Sequence, residues 1–358
     1  MNLTFDYGAL QTLISASARI LSFIAAFFAA ALIVIKFFSI IRTRYVKRTE
    51  SQLEPLFERK LRELDHSGLA YLNSLIFYKR KILRKYIIYH SFGKTGTGLA
   101  RHSQAYRKLG FVKHDTKNLK SIFWWERAES ARCLGQLRIS EAKARLIKCL
   151  GDRSNEVRLM AAWALGRIGD TDVIEKSLEA LVRTSRFAGM RLSSTVFEYG
   201  DKAVPVLVKT LDHSDPAVRI LALHLLGELK SREAVIPVER KTLPDEKKEV
   251  RVAAYKVLGI IAEERSYEVL LKGLKDPLWE VRAQAAKALG FLKIPEAAIP
   301  LSETFEDPKW WVRRNAGEAL VKLGYKGREG LLMVFSRTRD ENVKAAAKEW
   351  LDEYEFLS

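Results

Sequence analysis

Histidine, cysteine and the motifs of nucleophilic catalysis are scarce in this chain, and each scarcity removes a class of function. The six histidines, at 66, 90, 102, 114, 213 and 224, include no pair at the i, i+4 spacing of a helical metal site, and none is followed by glutamate. The two cysteines, Cys133 and Cys149, make no Cys-x-x-Cys pair and fall in predicted helices, where free buried thiols are ordinary in a cytoplasmic domain. No Gly-x-Ser-x-Gly elbow occurs. Gly93-Lys94-Thr95 ends like a phosphate loop, but the first glycine of that motif would stand at 88, which is Ile88. Catalytic residues, metal ligands and cofactors are therefore not expected.

What the chain has in abundance is one recurring phrase. Val157-Arg158 leads to Leu165-Gly166, Val218-Arg219 to Leu226-Gly227, Val250-Arg251 to Leu258-Gly259, Val281-Arg282 to Leu289-Gly290, and Val312-Arg313 to Leu320. Arg219 and Arg251 are 32 residues apart, and the next two steps are 31 each. Arg127 with Gly135 gives an earlier unit, Arg191 with Gly200 a degenerate one near 185–211, and Lys344 with Ala345 to Ala347 a closing one, about eight in all. Such a period marks a stacked helical array in which each unit leaves its apolar face for the next to cover. Within a unit, Val281, Ala285, Ala288, Leu289 and Leu292 keep helical spacing. A second helix near 268–274 precedes it, and Asp276-Pro277, Asp307-Pro308 and Asp215-Pro216 punctuate the joins. Gly290 is expected to weaken the last turn of its helix.

Over roughly residues 106 to 358 this pattern resembles the HEAT-like repeats, in particular the short phycobilisome-lyase type. An aspartate stands six residues before the arginine in Asp152/Arg158, Asp245/Arg251, Asp276/Arg282 and Asp307/Arg313. The resemblance implies an all-α, right-handed α-solenoid, a ladder of hydrogen bonds between these aspartates and arginines in neighbouring units, and a concave face lined by the arginine helices. Asp212, seven before Arg219, and the blurred unit at Arg191 depart from it, so the ladder is expected to break or bend there. Iron-dependent hydroxylases built from such repeats need His-Glu pairs that are missing here. Phycobilin lyases share the repeat type but are soluble, and nothing beyond the repeat points to one.

Ile20 to Ile41 is a run of 22 residues with a single charge, Lys36, near its end. As a helix it would be about 33 Å long and could cross the hydrocarbon core of a bilayer. It is longer than a signal-peptide core, lacks a basic start and is followed by Arg42, Arg44, Lys47 and Arg48, so it reads as an anchor. The positive-inside bias puts the amino terminus outside and the repeats in the cytoplasm, as a single-pass protein of the inner cell membrane. Ala25 with Ala29 and Ala26 with Ala30 would allow another helix to approach closely, or merely face lipid.

The net charge of +18 is concentrated ahead of the repeats. Residues 126–358 hold 40 basic against 36 acidic groups, while residues 42–125 hold 19 against 6. Nucleic acid is therefore disfavoured as a partner, and anionic lipid is the nearest one. The chain divides into 1–49 with the anchor, 50–105 with basic amphipathic helices, and 106–358 with the repeats. A short helix is expected around Leu53 to Leu64. A second, over 71–90, sets Leu72, Leu75, Ile76, Ile82, Leu83, Tyr86 and Ile87 against Arg80, Lys81, Arg84 and Lys85. It would either lie on the membrane or cap the first repeat.

Trp124, Trp279 and Trp310 stand three residues before their arginines, and Trp125 and Trp311 two before. They are expected to fill the gap between helix pairs, with a ligand-binding aromatic patch as the alternative. Trp163, His224, Lys256, Lys287 and Glu318 stand five after the arginine, and Leu159, Ile220, Val252 and Ala283 one after. Together they would form an apolar lane edged by basic groups, suited to a peptide or a partner's amphipathic helix, or else an ordinary solvated face. The reading is a non-catalytic, membrane-anchored scaffold for a protein partner, itself soluble or membrane-bound. Likeness to anchored bacterial repeat proteins implies an accessory to a membrane enzyme complex, such as one making polysaccharide. A nucleic-acid-binding repeat protein and a lyase-type enzyme are the alternatives.

Overall fold

The computed structural model describes residues 7–63, 66–75, 77–169, 171–182, 200–242 and 247–357, and the chain divides into two compact units, Met1–Leu109 and Gly110–Ser358. Residues 183–199 of the degenerate unit, Arg191 among them, and the turn residue Asp245 lie outside the described residues. All described regular structure is helical.

The first unit opens with α1 (Tyr7–Glu63), a helix of 57 residues that contains Pro55. Its stretch Leu21–Ile41 has a mean hydropathy of 2.6 and none of it is buried. Arg44, Lys47 and Arg48 follow on the same helix with exposed side chains, while the side chain of Arg42 lies outside the described ones. The separate helix expected around Leu53 to Leu64 is instead the end of α1. A proline removes one backbone donor, which a helix this long absorbs without ending.

Three shorter helices follow, α2 (His66–Ser74), α3 (Phe77–Ser91) and α4 (Gly96–Lys108). The single helix expected over 71–90 is therefore broken between α2 and α3. Its apolar face is also not available to lipid: Leu72, Leu75, Ile82, Leu83 and Ile87 are buried, with α1 and α4 packed on α3. Arg80 departs from its expected place on a membrane surface. Its guanidinium donates to Asn73 Oδ1 at 2.9 Å and to the Leu109 carbonyl at 2.7 Å. Arg84 is half-buried, and only Lys81 and Lys85 of that set are fully exposed.

The second unit starts with α5 (Phe111–Asn118) and alternates arginine helices with shorter partners. The arginine helices are α6 (Trp124–Gln136), α8 (Asn155–Ile168), α11 (Pro216–Leu229), α13 (Lys248–Ile261), α15 (Trp279–Leu292) and α17 (Trp310–Lys322). The partners are α7 (Lys143–Cys149), α9 (Ile174–Val182), α10 (Val204–Thr210), α12 (Val235–Arg240), α14 (Tyr267–Gly273) and α16 (Ala298–Thr304). Two longer helices, α18 (Tyr325–Arg337) and α19 (Glu341–Leu357), close it. Each arginine helix packs along the next: α6 on α8, α11 on α13, α13 on α15 and α15 on α17. Val157, Ala161, Leu165 and their counterparts Val281, Ala285, Leu289 are completely buried, so the helical spacing read from the sequence is the core stripe.

The glycine eight residues after the arginine does more than weaken a turn. A Cβ on Gly135 would lie 2.5 Å from Ala164 Cα, on Gly259 2.8 Å from Ala288 Cα, and on Gly290 2.7 Å from Ala319 Cα. Successive arginine helices therefore approach backbone to backbone at a glycine facing an alanine.

The chain leaves most arginine helices through a left-handed residue, which satisfies the last carbonyls. Only Gly169 and Gly324 are glycines; Arg138, Lys230, Ala262 and Lys293 take φ between 49° and 56° in the equivalent turns. A Cβ is disfavoured there, so Ala262→Gly and Lys293→Gly are each expected to stabilise the fold by about 0.5–1 kcal/mol. A higher thermal midpoint for the double variant would register it; an unchanged or lower one would show that the turn is not under strain.

Candidate functional site

The arginines that begin repeats bond the turn of their own unit, and three of them, Arg127, Arg251 and Arg282, also bond an aspartate of the next. Arg127 donates through Nε and Nη2 to both carboxylate oxygens of Asp152, at 2.7 Å each, across a separation of 25 residues. Arg282 does the same to Asp307, at 2.5 and 3.1 Å, and Arg251 bonds Asp276 at the same separation. The arginine Nη1 meanwhile reaches back to the turn of its own unit: Arg282 to the Asp276 carbonyl at 2.8 Å, Arg313 to the Asp307 carbonyl at 2.9 Å, and Arg158 to the Asp152 carbonyl at 2.8 Å. The aspartate in turn accepts the backbone N–H two residues on, from Ser154, Leu278 and Lys309, at 2.8 to 2.9 Å. One rung thus fixes the helix start of its own unit and the turn of the next. Planar, forked guanidinium is the group that can serve both at once.

Both ends of each rung are largely withdrawn from water. The arginine side chains keep 16% of their surface and Asp152, Asp276 and Asp307 keep 12%, 4% and 8%. Burial alone would raise the Asp152 carboxyl, but the bonds from Arg127 and the Ser154 N–H, with the charge of Arg158, hold it below the usual carboxylate range. A depressed carboxyl stabilises the fold above its unfolded value and loses that contribution as pH falls through its folded one. The protection of α6 and α8 amides, taken relative to the intrinsic exchange rate at each pH, is accordingly expected to fall below about pH 4, and protection unchanged down to about pH 2 would contradict the rung. Close by, burial first and the Asp152 charge second push the Cys149 thiol up to about 11, so it is inert at neutral pH.

The series is interrupted where the sequence departs. In the Arg219 unit the residue six before the arginine is His213, and Arg219 donates to its carbonyl at 2.8 Å. His213 Nδ1 accepts the Asp215 N–H at 3.0 Å, the place an aspartate oxygen takes elsewhere, and Nε2 donates to Glu179 at 3.3 Å. Glu175, Glu179 and His213 bring their ligand atoms within 4.8 Å of one another. A metal at Nε2 would need the proton on Nδ1, where it would meet the Asp215 N–H, so the trio suits a hydrogen-bonded rung better than a metal. At the far end the residue 25 after Arg313 is Thr338, and the carboxylate ladder stops.

The residues one, five and nine after each arginine lie on one side of their helices. Leu159 departs from its expected place there: it is buried at 6%, as is Ala283 at 4%. Ile220 and Val252 are half-buried. Trp163 and Lys287 are half-buried, and His224 and Lys256 are exposed. Crowding by neighbouring atoms first, and the charge of Lys256 in the next repeat second, lower the His224 pKa, so its ring is neutral at pH 7. Lys287 helps to depress the Glu318 carboxyl, after its bond from Lys322 at 2.6 Å. These couplings join one repeat to the next along the row. Sequence reasoning missed the ninth position, where Ile260 and Phe291 are exposed at 38% and 43%, Lys322 covers the Phe291 ring at 4.2 Å, and Arg167 lies 5.8 Å from the Trp163 ring. The i, i+4, i+8 spacing counted from the residue after the arginine would have found it.

Trp124, Trp125, Trp310 and Trp311 do not fill the gaps between helix pairs, while Trp279 is half-buried. Trp124, Trp125, Trp310 and Trp311 are exposed at 48 to 54%. The Gly–Ala contacts bring neighbouring helices too close to leave an indole-sized space. Phe123 stacks on Trp125 at 4.6 Å, and Arg314 lies over Trp310 and Trp311 at 5.5 and 5.7 Å.

Residues 116–194, 204–278 and 267–352 match the family described as HEAT repeats. The chain belongs to the HEAT-repeat family. Solved structures similar to it include an engineered protein, 21% identical with a TM-score of 0.38, covering 87% of this chain and 98% of its own. Human deoxyhypusine hydroxylase is 17% identical, with a TM-score of 0.31 and coverage of 87% and 98%. The complex of CpcE and CpcF of phycocyanin lyase from Nostoc sp. PCC7120 is 20% identical, with a TM-score of 0.29 and coverage of 68% and 94%. At these identities the likeness is one of fold, and no residue role is carried over from them. Among curated proteins, none matches the sequence. The HEAT solenoid is thus an all-α stack, with one helix ahead of it long and apolar enough to cross a membrane.

Proposed function

We propose that this HEAT-repeat protein is a non-catalytic scaffold that holds a protein partner at the inner surface of the cell membrane, anchored by the apolar part of α1. The partner is a cytoplasmic protein or the cytoplasmic part of another membrane protein, and a membrane enzyme complex such as a polysaccharide-synthesis system is the setting that fits. The observation that carries this reading is the row five and nine residues after each arginine. Its members include Trp163 and Arg167, His224, Lys256 and Ile260, and Phe291 and Lys322, apolar surface interleaved with charge in which the cations Arg167, Lys256, Lys287 and Lys322 outnumber the carboxylates Glu228 and Glu318. Such a row suits an amphipathic segment with acidic flanks. Beneath it, the arginine ladder keeps successive repeats in register, so many weak contacts are pre-organised. Exposed Arg44, Lys47 and Arg48 after the apolar stretch support an orientation with the repeats inside.

Cross-linking in intact membranes, followed by mass spectrometry, tests both halves. The full chain should resist alkaline extraction from membranes and capture a partner that is lost when Trp163→Ser and His224→Ala are combined. Release by alkali would remove the anchor, and undiminished capture by the double variant would remove the row.

A further inference from the structure

The first unit holds a cleft of about 370 Å³ that the scaffold reading leaves unused. Its walls carry opposite charge. On one side α1 presents Glu54 and Glu58, one helical turn apart; on the other stand Lys94, in the turn before α4, and Arg101 and His102, on α4 itself. His90 of α3 stands between them, stacked on Tyr86 at 4.1 Å and 3.2 Å from Glu54. His102 Nδ1 donates to the Gly98 carbonyl at 2.9 Å, so Nε2 carries the lone pair of the neutral ring and donates to a phosphate oxygen only once the bound anion has drawn a proton onto it. Burial first lowers the His102 pKa; the Gly98 bond raises it, and the charges of Lys94, His90 and Arg101 all lower it. The field at that ring is therefore positive, and an anion placed there meets three cationic or cationisable groups.

We propose that this cleft binds a small soluble amine-bearing phosphate, with Lys94, Arg101 and His102 on the phosphate and Glu54 and Glu58 on the ammonium. A phosphate alone would satisfy one wall and leave the carboxylates opposed to it; an amine alone would do the reverse. A lipid headgroup could offer the same chemistry. The position along α1 favours the soluble source: Glu54 is 13 residues beyond Ile41, about 20 Å along a helix, whereas headgroups extend only about 5–7 Å beyond the hydrocarbon. That choice of source rests on the anchor reading, while the cleft itself does not.

The test uses the full chain in phosphatidylcholine nanodiscs, with phosphoethanolamine and inorganic phosphate as probes read by phosphorus NMR line broadening. Phosphoethanolamine should bind, and Lys94→Ala with Arg101→Ala should weaken it at least about tenfold at unchanged helicity. Glu54→Gln with Glu58→Gln should weaken phosphoethanolamine by about tenfold but inorganic phosphate by no more than about twofold. Absence of broadening by either probe, or equal broadening for the Lys94/Arg101 variant, would overturn the site. Displacement of phosphoethanolamine by phosphatidylethanolamine added to the discs would overturn the soluble source. A chain that fails to enter nanodiscs but still binds the probe in detergent would sink the anchor and leave the cleft standing.

Discussion

Arg282→Ala is expected to cost about 3–5 kcal/mol, because it leaves the Asp307 carboxylate buried with only a backbone N–H to meet its charge. The same change also frees the Asp276 and Pro277 carbonyls of the turn that starts α15. Asp307→Asn should cost less, since an amide oxygen still accepts from Lys309 N–H and from the guanidinium. In a stack whose units contact only their neighbours, the loss should be local. Amide exchange should therefore rise in α15 and α17 while α6 and α8 keep their protection. A comparison pair calibrates the result: Arg232 and Glu263 also bridge two repeats at 2.7 Å, but Arg232 is 84% exposed. Removing it should change stability by less than about 1 kcal/mol. Equal effects at Arg232 and Arg282 would mean that the rung is a surface ion pair like any other.

The second large effect concerns a substitution that helix propensity alone would favour. Gly290→Ala gains about 1 kcal/mol of propensity in an isolated helix. Here its methyl would stand 2.7 Å from Ala319 Cα, a backbone atom that can retreat only by moving the whole of α17. Overpacking of that kind costs about 1–3 kcal/mol, so the net change should be destabilising. Gly227→Ala separates the two terms. Its nearest neighbours are the Val257 methyls, the closer at 3.3 Å, which can rotate aside, and the result should be near neutral. Thermal midpoints of the two variants would show the difference; a stabilising Gly290→Ala would mean that the helices are not in contact there.

The repeat itself was legible because identical neighbours impose identical residues: Val before Arg, Ala-rich stripe, Gly after Leu. The direction of the ladder was not. Spacing alone pairs Asp276 with Arg282 of its own unit, whereas the carboxylate meets Arg251 of the preceding one and only the Asp276 carbonyl meets Arg282. The tryptophans misled because an indole next to a helix start reads as core, and the sequence does not reveal that glycine has already closed the space it would fill. Leu159 misled because its neighbours bury it along with Ala283, whereas Ile220 and Val252 at the same offset stay half-buried. The short helix expected around Leu53 to Leu64 is the end of α1, which passes through Pro55 because a single missing donor is minor in a 57-residue helix. The cleft among α1, α3 and α4 has no motif at all, since its charges come from three helices and one turn.

The account stands or falls on which face of the stack meets another protein. A photo-activated cross-linker placed at Lys256 or Phe291, on the open row, can be compared in intact cells with one at Lys272, exposed on the partner helix α14. The row positions should yield the same cross-linked partner, lost when Trp163→Ser and His224→Ala are combined, and Lys272 should yield none of it. Cross-links to that partner from Lys272 alone, or equally from both faces, would contradict it.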